Sequence, residues 1–577
     1  MQNNGDTHKK FNVGENIVVG IGSFHKTLPH NEFGEVCPDA FKKLVDAGAG
    51  DGSGYAAVPK GSGDAAQLTN PQAGLAADRL THHPASYSMP PAPTVLSETT
   101  GTEITELYWM ALLRDCPFNH FDDDPAVKEA AFELNKLFQM AVADSGDAGR
   151  LLPGIDAPGT LAKLDKITPQ NVFRLGLPGE EIGPMVSQFF IRPIAYGTQS
   201  ISQMQRPYKA NRNYLTEFKD WLFAQNSGKD RNDQSYSQSN EDNKNNFEDN
   251  PRYISTMRDL ARFVNKDALH QAYFNAAMLL LSGGAKWAPG NPYGDCGHLA
   301  PREAGFGVLG GPHILALVSE VATRALKVVW NQKWQVHLRL RPEAYGGLVN
   351  VMKIGVKGKK RSYGLPGWVT ETKAAERICK DYGTYLLPMA YTPGSPTHPA
   401  YGAGHATVAG ACVTILKAYF KTFETTKHKG VEVDIPVLFN TLTERSEPYG
   451  NGLPIEAYVT GICQKDSGAA WDRIPIDKNV ADHLTIEGEL NKLAHNVAMG
   501  RSMGGVHWRS DNSRSLMLGE AIAAEILAEI TTDANERPSF EFRTFSRCAD
   551  GLPKKVTIRH GRIWVDGVLV DTHGSTL

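Results

Sequence analysis

Ser395-Pro-Thr-His-Pro-Ala-Tyr-Gly-Ala-Gly-His405 is a loop rich in proline and glycine, and it empties directly into Ala-Thr-Val-Ala-Gly-Ala-Cys-Val-Thr-Ile-Leu. The change of texture predicts a long apolar helix with His405 at its start. The first turn of a helix leaves backbone N–H groups unpaired and carries the positive end of the dipole, so it favours a tetrahedral oxyanion. Gly402 and Gly404 let backbone approach such an anion without a Cβ in the way. A loop that merely caps a core helix would read the same way, and the rest of the cationic inventory has to decide.

Upstream runs Lys333-Trp-Gln-Val-His-Leu-Arg-Leu-Arg341-Pro342. Ile314, Leu317, Val318, Val321, Ala325 and Val328 before it keep helical spacing, so a core-facing helix leads into it. Pro342 disfavours helix in the residue before it, which predicts that the helix stops near Arg341. Lys333 and Arg341 would then lie about two turns apart on one face, with His337 between them. A solvated basic face is the ordinary alternative.

Downstream comes Gly500-Arg501-Ser-Met-Gly504-Gly505-Val-His507-Trp-Arg-Ser-Asp511. The paired glycines break a helical run expected from near Ala481. A second helix is expected from near His507, with Leu518, Ile522, Ile526 and Ile530 facing inward. His507 and Asp511 would share a face as i and i+4, so the acid can orient the imidazole. Together Lys333, Arg341 and Arg501 are fixed positive charges, Gly404 offers a backbone donor, and His405 and His507 titrate near neutral pH. Cations gathered in one pocket repel one another unless a multiply charged anion sits between them, which points to phosphate or a phosphate-like ion.

These three blocks resemble the vanadium-dependent haloperoxidase and acid phosphatase superfamily, whose signature is Lys-x6–7-Arg-Pro, Pro-Ser-Gly-His and Ser-Arg-x5-His-x3-Asp. Here they read Lys333-x7-Arg341-Pro342, Gly402-Ala403-Gly404-His405 and Gly500-Arg501-x5-His507-x3-Asp511. Within the superfamily the chain is most similar to the bromoperoxidases of red algae and cyanobacteria. It shares the longer x7 spacing, the Arg341-Pro-Glu-Ala344 context and a histidine, His398, ahead of the glycine loop. Leu107-Tyr-Trp-Met-Ala-Leu-Leu-Arg-Asp and Gly183-Pro-Met-Val-Ser-Gln-Phe-Phe resemble the same family's N-terminal half. Two positions depart from the pattern: Ala403 and Gly500 stand where the family has serine. The resemblance then implies a missing hydroxyl donor to one vanadate oxygen, a loss of about 1.5–3 kcal/mol unless water replaces it.

The resemblance implies vanadate as cofactor, bound through His507 and neutralised by Lys333, Arg341, Arg501 and the Gly404 N–H. It implies His405 as general base and then acid on hydrogen peroxide, Lys333 polarising the bound peroxide, and Asp511 and Ala403 behind the site. His398 would stand beside the halide, favouring bromide and iodide, and the hypohalous acid would halogenate small organic acceptors. The implied fold is all-α, two four-helix bundles with long loops, in a dimer-based homo-oligomer that can extend to a dodecamer. A structural calcium belongs to the same expectation, although no loop shows a ligand pattern for it. An acid phosphatase with His507 as nucleophile uses the same pocket, and a non-catalytic oxyanion-binding shell protein is the third reading. Retention of both His405 and His507 speaks against the last.

Composition bounds the rest. The chain has 577 residues, with 60 Lys+Arg against 63 Asp+Glu, a net charge of −3 that indicates no polyanion-binding surface. No nucleic-acid motif is present, and no apolar run approaches the roughly 18 residues needed to span a membrane. Met1–Lys10 lacks the apolar core of a signal peptide, so cytoplasmic residence is the default expectation. Seven cysteines, scattered and without a CxxC pair, make no disulfide framework or metal site. Cys37 and Cys116 are candidates for an intersubunit bridge, with inert thiols the better expectation.

The expected organisation is a helical half with loop excursions over 1–300, a helical catalytic half over 301–545 and a β tail over 546–577. Asp122–Asp124 and Pro125 predict a cap and first turn for a helix over Ala126–Val142, a reading preferred to a calcium site. Residues 45–75 and the Asn/Ser/Gln/Asp-rich 226–250 read as loops, and 440–475 as a turn-rich insertion. The stretch after Val556 alternates and turns at His560-Gly561 and Asp566-Gly567, a small β-meander.

Overall fold

The helix announced by the glycine loop forms over Gly404–Tyr419, and all its residues after His405 are buried. A helix that is apolar all round belongs at the centre of a bundle. It packs on Arg509–Asp533, Gly311–Asn331 and Ile486–Met503, which makes the first four-helix group. Two glycines set its closest crossing. A Cβ on Gly410 would lie 2.1 Å from the Leu516 carbonyl, and one on Gly519 would lie 2.1 Å from the Thr407 carbonyl. Side chains there would force the two helices apart.

The second group gathers around Glu98–Leu112, which packs on Pro125–Asp144, Pro342–Lys353 and Lys373–Tyr382, and meets the first through Ile486–Met503. Buried ion pairs tie the two together. Arg509 donates to Glu106, while Arg339 bridges Glu103 at 3.0 Å and Asp511 at 2.6 Å. One apolar core runs through residues of both expected halves. The computed structural model describes residues 6–13, 16–76, 82–144, 167–238, 244–428, 431–443, 454–465, 468–548 and 551–570.

The fold is predominantly helical, as expected, with a C-terminal sheet. Its strands Ser539–Arg547, Pro553–Arg559, Arg562–Val565 and Val568–Val570 form an antiparallel meander. The sheet therefore begins at Ser539, ahead of residue 546, because Ser539–Arg547 leaves the Arg509 helix and pairs at once with Pro553–Arg559. Two hairpins add strand: Phe423–His428 with Val431–Pro436 lies ahead of the stretch that reads as a turn-rich insertion, and Tyr458–Lys465 with Gly468–Pro475 lies inside it. Parts of that insertion (444–453) and of the polar excursion (239–243) lie outside the described residues.

Helix boundaries shift at three informative places. The Gly311 helix does not reach Arg341: it ends at Asn331, continues as a wide π turn over Gln332–His337 and stops at Leu338, whose φ of 48° is left-handed. The downstream helix begins at Arg509, so His507 precedes it. The run expected from Ala481 is split into Lys478–Ala481 and Ile486–Met503, the second capped by Thr485, whose hydroxyl accepts from Gly488 N. The cap at Asp124 is as expected, its Oδ1 accepting from Ala126 N at 2.8 Å and Val127 N at 3.1 Å. All seven cysteines are free thiols; Cys412 is buried, Cys296 is exposed and the rest are half-buried. Among the described residues no helix is long and apolar enough to cross a membrane.

Candidate active site

A cavity of about 530 Å³ opens where the Gly404 helix starts. His398, Gly404, His405, Arg501 and His507 line it, with Leu269, Leu326, Trp330 and Tyr236 around them. Five sequence-predicted residues thus meet although they are spread over more than a hundred positions. Lys333 and Arg341 stand behind the lining, buried. Lys333 Nζ donates to the carbonyls of Pro399 at 2.8 Å and Ala400 at 3.2 Å, bracing the loop that leads to Gly404. The two do not share a helix face, because the π turn and Leu338 redirect the chain between them. They converge through the loop instead. His337 is carried elsewhere: it packs edge-on to Tyr401 at 4.7 Å, and burial followed by Arg339 and Arg514 pushes its pKa down to about 3.

Arg341 is the hub. Its Nε donates to the His398 carbonyl at 2.9 Å and its Nη1 to the Val506 carbonyl at 2.6 Å. Nη1 also lies 3.0 Å from His507 Nε2, and Nη2 lies 2.9 Å from His398 Nδ1. A guanidinium only donates, so both ring nitrogens are acceptors. His507 completes this assignment on its other side, where Nδ1 donates to Asp511 Oδ2 at 3.0 Å. The pair is not i,i+4 on a helix; Asp511 sits in the first turn and reaches back, also accepting from Trp508 N at 2.9 Å. His507 is therefore neutral with its lone pair on Nε2. Burial, then Arg341, Lys333 and Arg501, hold its pKa well below the ordinary value.

The cations strain against each other. Burial and then Arg341 pull Lys333 well below the ordinary lysine range, with Asp511 opposing. Burial and then Arg501 bring Arg341 down to about 9. Arg501 Nη1 donates to the Val264 carbonyl at 2.8 Å and to the Tyr236 hydroxyl, while its buried Nε has no partner among the described residues. As the first helical residue, Gly404 presents an N–H that no carbonyl within the helix can take.

His405 leans on a residue with no sequence signature. Its Nε2 lies 3.1 Å from Asp267 Oδ1, at the end of the helix Met257–Lys266 and 138 positions away. Tyr236, from the polar excursion, is likewise unannounced; hydrophilic composition suggested only solvated loop. Asp511, Arg339 and Glu103 form a buried chain behind His507, and the short Arg339–Arg341 spacing hints at it only in retrospect.

No family profile matches the chain. A vanadium-dependent bromoperoxidase of Corallina pilulifera is 33% identical over 590 aligned positions, covering 91% of this chain and 90% of that protein. Those of Corallina officinalis and Ascophyllum nodosum are 32% and 31% identical, each again covering 91% of this chain. The chain belongs to the vanadium-dependent bromoperoxidase family. A homohexameric structure of a second vanadate-dependent bromoperoxidase from Ascophyllum nodosum superposes with a TM-score of 0.72 at 27% identity, covering 96% of this chain and 86% of that one.

The residues present fit a vanadate group of the kind the family name implies. Arg341 depresses Lys333, Arg501 depresses Arg341, the buried Arg501 Nε has no partner among the described residues, and the His507 Nε2 lone pair faces the Arg341 guanidinium; such a gathering of cations and donors suits a multiply charged oxyanion. The departures from the signature differ in kind. A Cβ on Gly500 would meet Val264 at 3.1 Å, so this position faces the Met257 helix and a serine there would not reach the cavity. Ala403 is buried beneath Gly404, its N–H donating to Ser515 Oγ at 2.8 Å. Among the described residues no group of three or more His, Cys, Asp or Glu side chains is placed to hold a metal ion.

Proposed function

We propose that the chain is a vanadate-dependent bromoperoxidase that oxidises bromide and iodide with hydrogen peroxide. Peroxide, halide and one proton give hypohalous acid and water, and the hypohalous acid halogenates organic acceptors. The observation that carries this reading is His507: neutral, oriented by Asp511, its Nε2 lone pair set among Lys333, Arg341 and Arg501. His507 Nε2, the three cations and the Gly404 N–H would hold the vanadate. When bound, vanadate supplies a redox-inert Lewis acid that activates peroxide.

The chain's own residues do the rest. Asp267 accepts from His405 Nε2, leaving Nδ1 as the atom that takes a proton from peroxide and later returns it to the departing oxygen. Arg341 occupies His398 Nδ1, so His398 carries its proton on Nε2 and offers an N–H donor on the cavity wall, 5.0 Å ring to ring from Trp330. We assign the halide to that donor. Lys333, braced by two carbonyls, holds its Nζ donor behind the cradle.

The reading extends to a homo-oligomer, which the homohexameric relative supports; assembly from dimers and growth to a dodecamer are the finer expectations, to be read by light scattering. Structural calcium stays outside the proposal, since Asp124 is engaged as a helix cap. Phosphatase chemistry would use the same cradle, and nothing in the site favours it. Bromination of monochlorodimedone by phosphate-free apoprotein, titrated with orthovanadate, tests the proposal. Saturable dependence on vanadate is the expected result; hydrolysis of p-nitrophenyl phosphate with no response to vanadate would overturn it.

A further inference from the structure

Tyr236 stands on the short turn Tyr236–Gln238, lines the same cavity as Gly404, His405, Arg501 and His507, and has no counterpart in the three signature blocks. Its oxygen lies 2.5 Å from Arg501 Nη1. Because a guanidinium can only donate, the tyrosine oxygen accepts and its own O–H proton must point away from Arg501. Burial raises the Tyr236 pKa against the pull of Arg501, so the proton stays on.

The ring is held from two sides. It meets Tyr391 edge-on at 5.4 Å and 84°, and Tyr391 is fixed by donating to the Ala261 carbonyl at 2.8 Å. The next residue, Ser237, has its carbonyl taken by Lys266 Nζ at 2.5 Å, beside the Asp267 that supports His405. A neutral hydroxyl is thus pinned at the cradle of an oxyanion to which the Ala403 side chain offers no hydroxyl, and the neighbouring Arg501 Nε lacks a partner among the described residues.

We propose that Tyr236 is an oxyanion-binding residue: its hydroxyl donates to an oxygen of the bound vanadate and supplies the neutral donor that Ala403 cannot. The assignment rests on the bromoperoxidase reading of the cavity. Arg501 and Tyr236 then act as a unit, the guanidinium placing the hydroxyl and the hydroxyl steadying the guanidinium.

Equilibrium dialysis of orthovanadate against the apoprotein tests it without relying on turnover, with inorganic phosphate as a second probe. Y236F is expected to weaken vanadate binding by about tenfold or more, the weight of a hydrogen bond to a charged group. A403S introduced into Y236F is expected to restore most of that loss, because the serine hydroxyl replaces the lost donor. Binding by Y236F equal to wild type would overturn the assignment. A weakened Y236F that A403S does not rescue would also overturn it, since Tyr236 would then only position Arg501. Absence of vanadate binding in the wild-type chain would instead sink the bromoperoxidase reading, and the two failures are told apart by that one control.

Discussion

Asp267 Oδ1 and His405 Nε2 lie 3.1 Å apart, a contact that orients the His405 ring and, in the proposed mechanism, selects the nitrogen that carries the proton. With Nε2 turned to the carboxylate, Nδ1 is the nitrogen that the proposed mechanism uses. Removing the carboxylate leaves the ring free to turn and to change tautomer. Asp267→Ala is expected to lower the bromide-dependent turnover number about ten- to hundredfold, the usual weight of an orienting partner, while vanadate affinity by dialysis stays nearly unchanged. An equal fall in both would show that Asp267 shapes the oxyanion cradle instead.

Asp511→Asn makes a sharper test of the ligand assignment than deleting His507. Arg339 Nη1 donates to Asp511 Oδ1 at 2.6 Å, so an amide at 511 would turn its oxygen to Arg339 and its NH2 to His507. His507 Nδ1 would then have to accept, and the proton would move to Nε2, removing the lone pair. Vanadate affinity is expected to fall about ten- to hundredfold with Asp511→Asn. His507→Ala is expected to abolish vanadate-dependent turnover; full activity in that variant would end the assignment.

The sequence carries the site better than it carries the geometry that builds it. Lys333, Arg341, His405, Arg501 and His507 are legible because charge, spacing and a glycine loop are local signals. The route between Lys333 and Arg341 is not legible: a π turn and a left-handed leucine replace the helix that apolar periodicity predicts, since tertiary packing overrides spacing near the site. Asp267 and Tyr236 escape for a different reason. Each reaches its partner across a distance in sequence that no local pattern records, and Tyr236 hides in a stretch whose polarity describes the neighbours rather than the tyrosine. Strands in the 423–475 region were masked by turn residues that serve hairpins as well as loops.

Lys26→Met probes how the glycine loop is anchored. Lys26 Nζ donates to Glu343 Oε1 at 2.6 Å and to the carbonyls of Pro393 and Ser395 at 2.7 and 2.8 Å, and all of it is buried. Glu343 Oε2 in turn accepts from Ser395 N at 2.6 Å. Removing the ammonium leaves a buried carboxylate without its counter-charge, a loss of about 3–5 kcal/mol. Denaturant unfolding of the full chain measures it. A change below about 1 kcal/mol would show that the loop holds without this pin.

Glu525→Gln addresses stability against pH. Glu525 accepts from the Tyr87 hydroxyl, and burial, opposed by that bond, raises its pKa from 4.5 to about 7. An acid whose folded pKa is raised binds its proton more tightly when folded, so the folded state gains stability as pH falls from 7 towards 4.5. That contribution is complete below the unfolded pKa and lost as pH rises through the folded one. Its ceiling is about 3 kcal/mol, from roughly two and a half pKa units. Glutamine keeps an oxygen for Tyr87 and cannot ionise, so the variant should lose this part of the slope. Between pH 5 and pH 8 the wild type is expected to weaken relative to Glu525→Gln, with the gap largest at pH 8. Parallel stability curves across that range would mean that Glu525 is ionised throughout, and that Tyr87 donates to a carboxylate.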